Sequence, residues 1–297
     1  MGAALAPALC HAQPDYSWEL SGLAVNGPNQ SRFAARSVSA THFFGGIEEG
    51  DGPHALSTFL DPASFVSATF DRADDERDIW IIAGRYLVAG SRWYVGGRYS
   101  HPRLTVNDPT FVELRAKDYG IVAGKYLGPR TTLELGIDRA RTESLQDVPV
   151  TCFQPLCPIL PIATVSKGET ERLSFTHVRQ FRALTYAFDG GYWQHDSRIT
   201  QTTTATLPGL NLLPWEAPTV HTYALGATLY PMRTLGVRLE HEQADDEFTD
   251  GAWLVGARWF IRRNVALELS FSQRKYTAPA PFDERADIHN LSVIGRF

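Results

Sequence analysis

The sequence predicts an all-β fold, a transmembrane antiparallel up-and-down barrel of about fourteen strands. Three observations carry that expectation. Segments with an apolar residue at every second position recur along the chain, whereas stripes of helical period are nearly absent. A hairpin motif repeats, as IIAGRYLVAGSRWYVGGRYS, IVAGKYLGPRTTLELGIDRA, LGATLYPMRTLGVRLEHE and LVGARWFIRRNVALELSFS, each joining two strands through a tight turn. Longer polar connections separate these hairpins, so plain and elaborated turns alternate as they do at the two rims of a barrel.

Taken in order, the first dozen residues, MGAALAPALCHA, read as the tail of a secretory signal whose basic n-region is missing, with Cys10-His11-Ala12 as a small-x-small cleavage site. A single barrel domain is expected over 13–297. Candidate strands follow near 15–25, 31–43, 64–73, 77–87, 91–100, 112–127, 130–141, 169–179, 183–198, 218–230, 233–243, 250–261, 264–276 and 285–297. SRFAARSV and THVRQF alternate poorly. In NVALELSFSQRKY, Val265, Leu267, Leu269 and Phe271 share one face, opposite Ala266, Glu268, Ser270 and Ser272. TLGVRLEHE sets Leu235, Val237 and Leu239 against Gly236, Arg238, Glu240 and Glu242, and GAWLVGARWF aligns Trp253, Val255, Ala257 and Trp259. The chain reaches Phe297 through HNLSVIGRF, with Leu291, Val293 and Gly295 on one face, as a strand lying in a sheet would. One connection is out of place. GGIEEGDGPHALSTFLDPA, near 45–63, falls where alternation calls for a short turn, so either it is an insert at the plain rim or the strand count shifts by two.

Composition narrows the classes. The 297 residues are 43% hydrophobic and 21% charged, and mean hydropathy is -0.20. No apolar run reaches the roughly 18 residues of a membrane helix. That says nothing of a barrel, which shows an apolar face at alternate positions only. A net charge of -5 and the lack of a basic run argue against a nucleic-acid partner.

Periodicity alone fits a soluble sandwich equally well. The membrane barrel is favoured by aromatics at strand ends (Trp18, Tyr86, Trp93, Tyr126, Tyr186, Trp253, Trp259), where interfacial girdles lie. A last strand that closes a ring also leaves no unpaired edge in lipid. THFFGGIEEGDGPHALSTFLDPASFVSATF resembles the N-terminal signature of the general bacterial porin family, as AGKYLGPRTTLELGID and the closing IGRF resemble other parts of it. The resemblance implies an outer-membrane porin, makes the 45–63 insert expected, and implies that the strand ending in Phe297 is read by the barrel assembly machinery.

With the apolar faces outward, the alternate residues face the lumen, which a large barrel fills with water. That register sends Arg85, Arg98, Lys125, Arg238, Arg258 and Arg296 inward as bases, and Glu134, Asp138, Glu240, Glu242 and Glu268 as acids. Facing rows of opposite sign would set up a transverse field; the bland alternative is pairing between neighbouring strands. Together they imply passive diffusion of small hydrophilic solutes and ions, without cofactor or metal, through a monomer or homotrimer set among outer-membrane lipid and lipopolysaccharide. The long loops 142–167 and 199–217 would narrow the mouth, and Cys152 and Cys157 have a spacing that suits a loop disulfide. An adhesin or anchoring barrel without an open pore is the alternative. A rim-active hydrolase is disfavoured, because His177, His221 and His289 have no Ser elbow or acid at motif spacing.

Overall fold

The computed structural model describes residues 15–26, 35–73, 77–108, 110–149, 159–203, 215–245, 249–277 and 283–297. These form fourteen strands: β1 (Tyr16–Asn26), β2 (Ala35–Ile47), β3 (Ser64–Ala73), β4 (Arg77–Leu87), β5 (Trp93–Asp108), β6 (Thr110–Gly128), β7 (Thr131–Pro149), β8 (Ile159–Phe181), β9 (Leu184–Thr203), β10 (Trp215–Met232), β11 (Leu235–Ala244), β12 (Thr249–Arg262), β13 (Val265–Thr277) and β14 (Asp283–Arg296). Sequence neighbours pair antiparallel, and β1 closes on β14 to complete the ring. The expected signal segment, Cys152 and Cys157 lie outside the described residues.

Closure depends on a backbone detail. Phe297 donates its amide to the Trp18 carbonyl at 2.9 Å, and its own carbonyl accepts the amides of both Ser17 and Trp18 at 2.8 Å. Two consecutive residues opposite one is a β-bulge. It flips the face of β1, so that Tyr16 is buried on the inside while Trp18 is exposed outside.

In the two segments read as loops, the described residues, 142–149, 159–167, 199–203 and 215–217, are strand. β7 pairs with β8 from Thr131↔His177 out to Pro149↔Ile159, and β9 continues to Thr203. These extensions carry no clean alternation for a sequence reading to catch: TESLQDVP is mostly polar, and ILPIATVSK is apolar without a period of two. Ladder pairing needs only backbone groups, and runs such as TQTTT suit extended backbone through β-branching.

The distribution of apolar residues is inverted relative to a protein that folds around a core in water. Ile121 is 70% exposed and Leu225 66% exposed, in company with Trp80, Ile82, Leu135, Val255 and Leu269. Trp80 and Tyr86, Trp93 and Tyr99, and Trp253 and Trp259 share this outward face, each pair bracketing a stretch of about 20 Å along its strand. An outer band of this kind is solvated well by hydrocarbon and poorly by water. Tyr126 departs from the girdle expectation: it is 5% exposed and turned inward.

Buried apolar side chains gather instead at the rim of short turns, around residues 48–63 between β2 and β3. Gly45 and Gly46 (φ 89° and 77°) turn the chain off the wall there, in a left-handed region that other residues enter at a cost. Opposite β1 the register slips from Trp18↔His42 to Tyr16↔Ile47, which gives β2 the extra length for this turn. The segment leaves from and returns to adjacent strands, since Phe44 still faces Ser64.

Leu135→Arg, in the middle of the outward band, is expected to destabilise barrels refolded into phosphatidylcholine vesicles by about 2–4 kcal/mol. Reversible urea unfolding followed by tryptophan fluorescence measures it; an unchanged midpoint would show that this band does not face lipid.

Candidate functional site: a barred mouth and a charged chamber

Residues 48–63 do not stay at the rim as a simple insert; they cross the bore. The segment holds a 3-10 turn, His54–Leu56, followed by one helical turn, Ser57–Leu60. Leu56 clusters with Val178 of β8, Ala187 of β9 and Tyr230 of β10. Ala55 packs against Phe260, Ala266 and Ile294 of β12, β13 and β14. Phe59 meets Tyr126 of β6, which explains that tyrosine's inward turn. A segment in contact with so many sides of the ring at once lies across it.

Polar ties hold it down. Tyr16 Oη and Ser57 Oγ are 2.8 Å apart and buried. In the β10–β11 turn, Arg233 donates to the Gly50 and Gly52 carbonyls, and its own carbonyl accepts the His54 amide. Arg85 donates to the Ala63 carbonyl at 3.4 Å and stacks over Phe65 and Tyr94. The strongest tie is Glu49, whose side chain is 2% exposed and lies 3.0 Å from Arg296 Nη1 and 2.8 Å from Arg263 Nε. Arg296, itself 3% exposed, also reaches Glu19 at 2.9 Å and the His54 carbonyl at 2.8 Å. Arg263 sits in the β12–β13 turn, and the hydrogen bond to Glu49 raises its pKa further above the usual guanidinium value.

Above this bar lies a cavity of about 600 Å³, floored by Ala55 and Leu56. Its charged lining comes from Asp189, Arg238, Glu240, Arg258 and Glu268. Arg238 lies 2.7 Å from both Asp189 and Glu240, and Arg258 is 2.6 Å from Glu268. Three carboxylates therefore stand against two guanidinium groups. Further along the wall Arg274 binds Glu242 at 2.9 Å, Arg98 binds Asp138 at 2.9 Å, and Glu134 accepts from Tyr94 and faces Arg172.

The arrangement is thus one of local pairs around the wall rather than two opposed rows, because strands set about 5 Å apart bring complementary side chains within reach of each other. Some pairs bridge a strand. Arg98, Gly120 and Asp138 stand in one register line, as do Tyr94, Gly124 and Glu134. A Cβ at Gly120 would land on the Asp138 carboxylate, and one at Gly124 on the Tyr94 ring. The glycines are what let side chains two strands apart meet.

Arg85, Arg98, Glu134, Asp138, Arg238, Glu240, Glu242, Arg258, Glu268 and Arg296 all lie on the inner side, in the contacts just described. Lys125 does not. It pairs with Trp93 across β5 and β6 and lays its ammonium over that exposed outward ring at 4.7 Å. The fault was one of parity: Lys125 follows Ile121 and Ala123 on the outward face of β6, and a one-residue error exchanges lumen for exterior. The sequence reading missed Asp189, Arg172, Arg274, Glu19 and Glu49. Asp189 and Arg172 alternate with apolar neighbours in YAFDGGY and TERLSF, a signal that was present; Glu49 lies off any strand and carried none.

His177 contacts Thr131, His221 contacts Tyr192, and His289 packs on Phe271, three separate places on the wall. Among the described residues no cluster of His, Cys, Asp and Glu could hold a metal ion.

No family model and no curated protein matches the sequence, so membership of the general porin family finds no support there. Solved structures do match the fold. The outer membrane protein Omp33 of Acinetobacter baumannii is 16% identical with a TM-score of 0.60, over 95% of this chain and 98% of that one. The monoaromatic hydrocarbon channel CymD gives 12% and 0.54, over 96% and 89%. The Ralstonia pickettii toluene transporter TbuX gives 10% and 0.53, over 95% and 89%. At these identities the likeness is one of fold, a closed barrel of outer-membrane type.

Arg296→Ala would leave Glu49 buried with half its cationic partners, and removal of one member of a buried pair typically costs about 3–5 kcal/mol. The expected outcome is a loosened segment, seen as faster proteolytic cleavage within 48–63 of an otherwise protected barrel. Cleavage at the wild-type rate would show that this contact does not hold the bar in place.

Proposed function

We propose that the chain is an integral outer-membrane barrel that conducts small hydrophilic solutes and ions passively, with residues 48–63 as the element that closes its plain rim. The observation that carries this reading is the polarity of the two faces: charged groups line an internal chamber while large apolar side chains face out. A lumen rich in ion pairs stays wet, and water-filled space is what a polar solute needs to cross hydrocarbon. No cofactor and no covalent step enter; the solute gradient drives the flow. Hydrocarbon transport, named for two of the structural neighbours, fits less well here, because Asp189, Arg238, Glu240, Arg258 and Glu268 would have to be passed by an apolar solute without compensation.

The bar itself favours a second reading, a closed barrel that anchors or adheres. Conductance separates the two. In a planar bilayer the channel reading expects discrete current steps from the wild-type protein, and larger or more frequent steps once residues 51–60 are replaced by a short Gly-Ser linker. Silence from both proteins would sink it and leave the anchoring barrel.

Selectivity supplies a finer check. Arg238→Glu with Arg258→Glu turns the chamber wall wholly acidic, and the reversal potential in a potassium chloride gradient should move toward cation preference. An unmoved reversal potential would mean that permeating ions do not pass these two positions.

A further inference from the structure

We propose that the outer face of β6–β9 carries a binding site for the phosphate groups of a phosphorylated outer-leaflet glycolipid, with an acyl chain of that lipid lying in the groove beneath. The inference rests on the membrane reading above. Register sets Lys117 opposite Arg141, Arg141 opposite Lys167, and Lys167 opposite Arg198. Four cations therefore stand side by side on four consecutive strands, all exposed. Ladder pairing holds neighbouring strands about 4.8 Å apart, and like charges placed directly opposite destabilise a sheet. Such a row calls for anions. Glu143 supplies one to Arg141 at 2.8 Å, but among the described residues neither Lys117 nor Lys167 has an ion-pair partner.

The row ends on β10, where register sets Glu216 opposite Arg198, and Arg198 is already partnered, so the cations left for a ligand are centred on Lys117 and Lys167. The next carboxylates toward the apolar band are engaged as well. One register step toward the apolar band, Glu169 binds Arg139 at 2.8 Å and Asp196 accepts from Thr219. Two grooves meet at this level. The upper, about 920 Å³, is lined by Arg141, Lys167 and Arg198; the lower, about 730 Å³, by Ile121, Leu135, Ile137 and Leu173, with Glu171 also on its wall. Tyr119 and Arg139 belong to both. A cationic groove continuous with an apolar one, at the edge of the lipid-facing band, is the complement of an amphiphile. Phosphomonoesters carry close to two negative charges and several acceptor oxygens, which suits a row of Lys and Arg better than a carboxylate or a zwitterionic headgroup would.

Native mass spectrometry of the full-length barrel in detergent, titrated with bisphosphorylated lipid A, tests this. Wild type is expected to hold the lipid, and Lys117→Gln/Arg141→Gln/Lys167→Gln/Arg198→Gln to lose roughly tenfold or more in apparent affinity. Lys117→Arg/Lys167→Arg should bind as wild type does, which controls for folding. The dephosphorylated lipid should bind as weakly as the Gln variant does. Equal affinity of the Gln variant, or equal retention of the dephosphorylated lipid, overturns the proposal. So does displacement of lipid A by equimolar inorganic phosphate, which would identify a free-anion site. A barrel that stays soluble without detergent would instead remove the membrane reading, a result distinct from all of these.

Discussion

Every strand in this molecule depends on a single constraint: backbone amides and carbonyls facing hydrocarbon must find partners within the wall. A sheet satisfies it only when it has no edge, so the pairing of β1 with β14 determines whether the other thirteen pairings are of use. The closing seam is short and is completed by backbone alone at its lower end, where one carbonyl of Phe297 takes two amides from Ser17 and Trp18. The bulge this creates sends Tyr16 inward to Ser57 and Trp18 outward to the girdle. Closure of the ring and seating of the internal segment therefore meet at one place in the chain.

Once the ring is closed, alternation assigns each side chain to one of two solvents. The outward face is simple, because lipid asks only for apolar bulk and an aromatic at each boundary. The inward face is harder, because charges cannot be left without compensation in a narrow bore. The wall answers with pairs at the reach of one or two strands, and β6 keeps glycines where a side chain from β5 must pass over to β7. Several exposed pairs are worth little individually. The pair Glu49 and Arg296 is different in kind, since both side chains are excluded from water and each is held by the other.

Much of this was legible in the sequence. NVALELSFSQRKY and GAWLVGARWF declared their faces by strict alternation, and the repeated hairpin motif fixed the order of turns. What escaped did so for physical reasons. The strand extensions beyond the apolar band carry no period of two, TESLQDVP being mostly polar and ILPIATVSK apolar on both faces, so β7 and β8 looked shorter than they are. Lys125 was assigned to the wrong side by a one-residue slip within IVAGKYLG, where it shares the face of Ile121 and Ala123. The 48–63 segment was recognised as an irregularity, yet its destination was invisible: GGIEEGDGPHALSTFLDPA has the length of an ordinary loop, and only the distant positions of Val178, Tyr230, Phe260 and Arg296 show that it lies across the ring.

The attachment of that segment has a mechanical consequence. It departs from Ile47 and rejoins at Ser64, on strands that are immediate neighbours, so both of its hinges sit on one side of the opening. Displacing such a flap would unzip no interstrand ladder; its ties to Tyr16, Arg85, Arg233, Arg263 and Arg296 and its apolar seat are what would have to yield. The integrity of the wall and the state of the opening are in that sense separate properties, governed by different residues, and the fold is free to trade one without endangering the other.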